Sequence, residues 1–261
     1  MEDAVRLIGF DFETYLIKPG ILAPKAVCLS LAGRGQPPSY LPKDTDSWWR
    51  SLDDGWEVVF SARHVRCVFA NLSADPDVVL VAHNLAFDLA VLIKKEPMFT
   101  ADVFAMMEQG RLRDTIVREK LLNVAFGNLE WQDTGLGGLE NRIGCGIGRG
   151  GGAKKKTRYR LMDLVMKYFQ EDISATKVPD SWRTRYKELE FVAIPEWPLE
   201  ALVYSAQDST WARRIFEAQT ATPTPVRVGT DTHQLHTDGL VVNELEQTAA
   251  AFALHLMACR G

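Results

Sequence analysis

The sequence predicts an α/β protein, a sheet with helices packed around it, and three observations point there. The chain opens with an apolar run from Val5 to Phe10 that ends in two carboxylates, Asp11 and Glu13. A continuous apolar run, Val78-Val79-Leu80-Val81-Ala82, passes directly into the helical spacing of Leu85, Leu89 and Leu92. A long helical pattern begins near Pro198. Short apolar runs read as strands buried on both faces, and strands alternating with helical stretches imply a helix-covered sheet.

In the first strand Val5, Leu7, Ile8 and Phe10 form the apolar part. Side chains alternate along an extended backbone, so Asp11 and Glu13 share one face. Two adjacent carboxylates repel, and a divalent cation held through oxygen ligands offsets that repulsion. The plainer alternative is a strand leaving for solvent, since a D-x-E triplet also arises by chance. After a Pro/Gly-bearing turn over 17–24, Lys25 to Leu31 reads as a second strand, in a long-looped hairpin with the first. Residues 33–56 are rich in Gly, Pro, Ser and Asp and read as mostly irregular, with Trp48, Trp49 and Trp56 packing them onto the body. Ser61 to Leu72 reads as a helix with Ser61 as its N-cap.

The strand at Val78–Ala82 leads into a helix for which Asn84 is a suitable N-cap. Asn84 and Asp88 are four apart and share a helix face, either as a cap with a solvated acid or as a working pair. Arg111 to Ala125 reads as a short strand leading through Asp114-Thr115 into a helix. Residues 127–158 break the pattern with dense glycine and then Lys154, Lys155, Lys156, Arg158 and Arg160. That stretch is either a basic arm touching a phosphate backbone or a solvated loop; it is not a P-loop. Arg160 to Phe169 resumes as an amphipathic helix. The helix near Pro198 can turn Leu199, Leu202 and Ala206 to the core, and it places Tyr204 and Asp208 four apart on one face. Ala221 to Pro225 ends it and starts a linker, and Glu244 to Met257 reads as a final helix.

Composition narrows the class. With 46% hydrophobic and 25% charged residues, the 261-residue chain is ordinary for a soluble globular protein. No apolar run reaches membrane-spanning length, and the acidic start Met1-Glu2-Asp3 does not suit a signal peptide. Cys28, Cys67, Cys145 and Cys259 form no C-x-x-C pair, which suggests reduced thiols in a cytosolic compartment. His233 and His236 read as loop histidines without a second ligand pair. A net charge of −4 argues against a protein that coats nucleic acid, but not against an enzyme that offsets phosphate charge with metal ions.

Three motifs remain: Asp11-Phe12-Glu13-Thr14, His83-Asn84-Leu85-Ala86-Phe87-Asp88 and Tyr204-Ser205-Ala206-Gln207-Asp208. Their order and settings resemble the DEDD superfamily of 3′–5′ exonucleases, in its tyrosine branch, over residues 5–218. Asp114-Thr115 also looks like a recurring feature of that superfamily. Within it, the chain is similar to the proofreading domain of a phage-type family A DNA polymerase, and Gln247 to Met257 is similar to the helix by which such proteins enter the polymerase part.

The resemblance implies a ribonuclease H-like mixed sheet of about five strands flanked by helices. It implies an exonuclease domain over 1–220, with 127–158 as an insertion, and over 221–261 a linker and the start of a truncated polymerase region. It implies two divalent cations, Mg²⁺ or Mn²⁺, held by Asp11, Glu13, Asp88 and Asp208, with Asp11 bridging them and Tyr204 orienting the attacking water. Thr14, Asn84, Phe12 and Ile17 are the implied contacts to the terminal nucleotide, with Leu16 a further apolar wedge; for Phe12, Leu16 and Ile17 the alternative is ordinary core or rim packing. The implied partners are a single-stranded DNA 3′ end and a polymerase domain of the same polypeptide. No membrane is involved, and the implied location is the cytoplasm, the host's if phage-encoded. Two alternatives stand: an RNA-processing exonuclease similar to RNase D, and a nuclease-like fold kept only as a binding module.

Overall fold

Strand β1 (Arg6–Thr14) has work for both of its faces and so takes the middle of the sheet. The computed structural model describes residues 5–43, 46–125, 159–174, 181–221, 224–228, 231–235 and 241–260. β1 pairs antiparallel with β2 (Ala26–Arg34) and parallel with β5 (Val78–Ala82). β4 (Gly55–Ser61) lies outside β2, and β3 (Ser47–Leu52) forms that edge. β6 (Leu112–Asp114) forms the other edge, parallel to β5. The result is a six-stranded mixed sheet in the order β3-β4-β2-β1-β5-β6, the expected α/β ribonuclease H-like arrangement with one strand more than the five or so expected.

Helices cover both faces. Ile8, Phe10 and Phe12 of β1 point into the larger core. They meet α1 (Val65–Ala74), α2 (Leu85–Lys95) and α3 (Thr100–Glu108) through residues such as Phe69, Leu89 and Val103. On the other face α6 (Leu199–Ala221) lies across β1, β2, β4 and β5. Residues 182–197 pack beside it around Tyr186, Ile194 and Trp197. α5 (Leu161–Phe169) leans on α6 through Leu161 and Val165 against Trp211 and Ile215. α4 (Thr115–Ala125) follows β6 directly.

α7 (Val241–Arg260) packs against α2, α3, α4 and β6. Its Phe252 is fully buried in the larger core, a burial that contributes about 1.5–3 kcal/mol. Its Glu244, also buried, is ion-paired with the buried Arg118 of α4. α7 lies within 221–261, the stretch expected to hold a linker and the start of a further region. Between α6 and α7, β7 (Thr224–Val228) and β8 (Asp231–Leu235) pair antiparallel.

Several expectations need correction. Residues 33–56 are not mostly irregular: β3 and β4 form a hairpin there across Asp53-Asp54, with Trp49 and Trp56 in the larger core and Trp48 in the smaller. Aromatic and β-branched runs on either side of an acidic turn favour a hairpin over a loop. The helix expected from Ser61 begins at Val65, because Ser61 closes β4 and its hydroxyl accepts from Arg63 N at the head of a short 3₁₀ turn. Leu199 is exposed rather than core, whereas Leu202 and Ala206 are buried as expected. The final helix runs longer than Glu244–Met257 at both ends. His233 lies in β8 rather than a loop, while His236, Cys145 and the insertion over 127–158 fall outside the described residues. Cys28, Cys67 and Cys259 are free thiols. No helix among the described residues is long and apolar enough to cross a membrane.

Candidate metal centre

Alternation along β1 decides the site. Phe10 and Phe12 occupy the core face, so Gly9, Asp11 and Glu13 face α6. One carboxylate oxygen from each of Asp11, Glu13 and Asp208 lies within 4.8 Å of the other two. Asp208 gets there because α6 comes unusually close to the strand. A Cβ built on Gly9 would stand 1.9 Å from the carbonyl oxygen of Ser209, the residue after Asp208. Backbone meets backbone at that point, and a strand glycine marks such an approach. Ala201, Ser205 and Ser209 recur every four residues on α6 and are all fully buried, which keeps the approach free of bulk. Ser205 Oγ lies 3.4 Å from Sγ of Cys28, the residue opposite Glu13 in β2. Farther along, Thr210 donates to buried Glu57 of β4 at 2.9 Å, and Arg213 reaches Asp54 at 3.4 Å.

Asp88 arrives from the opposite side of β1. The β1–β5 ladder stops at Gly9 and Val81, leaving Phe12 N–H without a strand partner from β5. Asp88 Oδ1 accepts that N–H at 3.1 Å, so the first turn of α2 continues the work of the strand. Asn84 is not the side-chain cap expected of it: its backbone is left-handed, with φ 74°, and its side chain makes no capping hydrogen bond. Asp114 takes over that role. Its Oδ2 accepts from Leu85 N at 2.9 Å and its Oδ1 from Ile116 N at 2.7 Å, tying the starts of α2 and α4 together. His83 Nδ1 and Thr115 Oγ1, 2.8 Å apart, close the same junction.

Burial is the main reason the Asp88 carboxyl is held well above the usual carboxylate range, and the Asp11 charge adds to it. Asp88 therefore favours the folded state only when protonated. Its contribution is full below the unfolded pKa and lost as pH rises through the raised folded pKa. At neutral pH without metal the ionised group costs stability. Asp88→Asn keeps an acceptor for Phe12 N–H and removes that cost. Its melting temperature in EDTA should rise by about 2–4 °C for each kcal/mol relieved. Its gain in melting temperature on adding Mg²⁺ should shrink. A lower melting point in EDTA than that of the unsubstituted protein would contradict the electrostatic account.

Tyr204 is buried one helical turn before Asp208. Burial first, then the charges of Asp208, Glu13 and Asp11, push its hydroxyl far above the ordinary phenol range, so it stays protonated at any physiological pH. Its ring lies 6.1 Å from that of Tyr186, whose hydroxyl donates to Ala201 O at 2.7 Å.

The donor set is all oxygen, which fits Mg²⁺ or Mn²⁺ better than a softer ion. The triad provides the tight cluster; Asp88 is not one of its members and instead holds Phe12 N–H, between Asp11 and Glu13 on the strand. Of the implied substrate contacts, Phe12 needs correction. Its ring is buried against Phe10 at 5.3 Å, because it alternates away from the acids, so it cannot wedge against a base. Ile17 and Leu16 are exposed just beyond β1, Asn84 is exposed on its turn, and Thr14 Oγ1 donates to Tyr15 O at 2.8 Å. Gly9 was not singled out from the sequence, although a lone glycine inside an apolar strand was a readable sign of close approach. Compared with models of known protein families, with curated proteins and with solved structures, the chain matches none.

Proposed function

We propose that the protein is a metal-dependent 3′–5′ exonuclease that removes nucleotides from single-stranded or frayed DNA ends, serving as the proofreading part of a family A DNA polymerase. The observation that supports this reading best is the meeting of Asp11, Glu13 and Asp208 within 4.8 Å, with Asp88 hydrogen-bonded to the strand between the first two. Asp11, Glu13 and Asp208 would hold one divalent cation, and Asp11 with Asp88 a second. When bound, such ions neutralise charge on the phosphate and make an attacking water more acidic.

The chain's own residues do the positioning. A protonated Tyr204 cannot act as a base, but it can hydrogen-bond and orient the attacking water beside Asp208 and Glu13. Asn84 is exposed on the turn leading to Asp88 and would meet the terminal nucleotide. Tyr204→Phe should therefore slow turnover about tenfold or more, as for loss of a positioned proton-handling group, with Mn²⁺ affinity unchanged by calorimetry. An unaltered rate would take Tyr204 out of the mechanism.

The direct test uses one single-stranded DNA oligonucleotide carrying a label at its 5′ end or its 3′ end. The expected result with Mg²⁺ or Mn²⁺ is a ladder shrinking from the 3′ end, and no shortening in EDTA. Shortening from the 5′ end, or none with either metal, refutes the proposal. Faster digestion of RNA of the same sequence would favour the RNA-processing alternative, since the 2′-hydroxyl is the difference a protein can read.

A further inference from the structure

Beside the acidic cluster, the segment 182–197 is fastened to the loop that leaves β1. Glu190 accepts from the hydroxyl of Tyr15 and is ion-paired with Lys25. Tyr15 follows Thr14, the last residue of β1, and Lys25 precedes β2. The Lys25 ammonium lies 5.9 Å from the centre of the Tyr15 ring and 5.9 Å from that of Phe191. Lys187 lies over Tyr15 at 5.6 Å. On the inner side of the same segment, Tyr186 packs against Tyr204. The tie therefore spans from the acids to an outer surface bearing two aromatic rings and two lysines.

Phe191 stands out there, because it is 92% exposed while its neighbours Leu189 and Ile194 are buried. A solvated phenylalanine does nothing for the core. Lys25 lies over its ring and also over that of Tyr15, which Lys187 covers in turn. Of the charges, Glu190 offsets Lys25, while Arg185 is paired with Glu188 at 2.8 Å. Lys187 also faces Glu190, and counting the exposed Glu196, the four cations Lys25, Arg183, Arg185 and Lys187 stand against the three acids Glu188, Glu190 and Glu196, one positive charge in excess in a chain whose overall charge is −4. A flat apolar ring flanked by cations suits a strand with unstacked bases and a phosphate backbone, because each base has a face to stack and each phosphate a charge to meet. A duplex, whose bases already stack on one another, has no face to offer the ring.

We infer that Phe191, flanked by Lys25, Tyr15 and Lys187, is a stacking platform for a base of single-stranded DNA a short way upstream of the terminal nucleotide. This rests on the nuclease reading and adds a subsite to it. Phe191 stacks one base, Lys187 meets a phosphate, and Glu190 keeps Lys25 and Tyr15 fixed between them. The platform favours single strands over paired ends, and does so without reading sequence.

The test measures binding by fluorescence anisotropy with a 5′-labelled ten-nucleotide deoxyadenosine oligonucleotide. Ca²⁺ replaces Mg²⁺, and a gel checks that the strand stays intact. Phe191→Ala is expected to weaken binding about fivefold or more, within the range that stacking of one base supports. A scan with a single abasic position then gives the sharper readout. At one position the missing base should weaken the unsubstituted protein by the same factor and leave Phe191→Ala unaffected. Lys187→Ala should instead flatten the salt dependence by about 0.7 in the log–log slope, as for one single-strand phosphate contact. Binding by Phe191→Ala within twofold of the unsubstituted protein overturns the platform, as does an equal loss at every abasic position. Those outcomes leave digestion with Mg²⁺ as a separate measurement. A protein that binds through Phe191 but does not digest supports the platform and refutes the nuclease reading instead.

Discussion

Asp11→Asn combined with Glu13→Gln is expected to lower metal-dependent digestion of single-stranded DNA by about 10³-fold or more, with the fold intact. Ion-assisted charge stabilisation supplies several kcal/mol to phosphodiester hydrolysis, and each 1.36 kcal/mol is a factor of ten. The two substitutions remove two of the three carboxylates that meet within 4.8 Å and keep their size. Asp208 then stands without its partners. Calorimetry should show Mn²⁺ binding lost or greatly weakened. The melting temperature in EDTA should hold or rise, because like charges have been removed from a half-buried cluster. Full activity in the double variant would sink the metal assignment. A large drop in melting temperature would mean that the acids hold the structure rather than ions.

Much of this site was legible before any coordinates, and the reasons are local. The period of two puts Asp11 and Glu13 on one face, and the period of four aligns Tyr204 with Asp208, so each motif declared its own geometry. The same alternation excludes Phe12 from the substrate side, and applying it one residue further would have corrected that expectation. The β3–β4 hairpin was hidden by composition: glycine, proline and aspartate around it masked the tryptophan and valine runs that pair. The role of Asp114 was not legible at all, since the two helix starts it ties together are 30 residues apart in sequence (Leu85 and Thr115) and meet only in the folded sheet. The raised pKa of Asp88 likewise depends on burial and on Asp11, neither of which its own helix reveals.

Gly9→Ala is expected to damage both the fold and the site, although alanine in the interior of an ordinary strand is about 0.5–1 kcal/mol more favourable than glycine. The reversed sign is the test. Atoms do not approach a Cβ more closely than 3.0 Å, and the Ser209 carbonyl oxygen would stand at 1.9 Å, so α6 must back away by about 1 Å. β1 cannot yield in its place, being paired on both sides, with Ala32 and with Val81. Overpacking of this kind costs about 1–3 kcal/mol, which urea unfolding can read. The effect on chemistry should be larger, because Asp208 immediately precedes the displaced carbonyl. A misplacement of about 1 Å can cost a hundredfold in rate. Ser209→Gly should not rescue the variant, since the clash is with backbone rather than side chain. Replacing Gly9 by alanine with no loss of Mn²⁺ affinity, turnover or stability would show that the closeness of α6 to β1 does not set the acids' spacing. Loss of Mn²⁺ affinity and turnover in a protein still folded would make Gly9 a positioning residue, one that brings a helix and a strand near enough for carboxylates from opposite ends of the chain to share an ion.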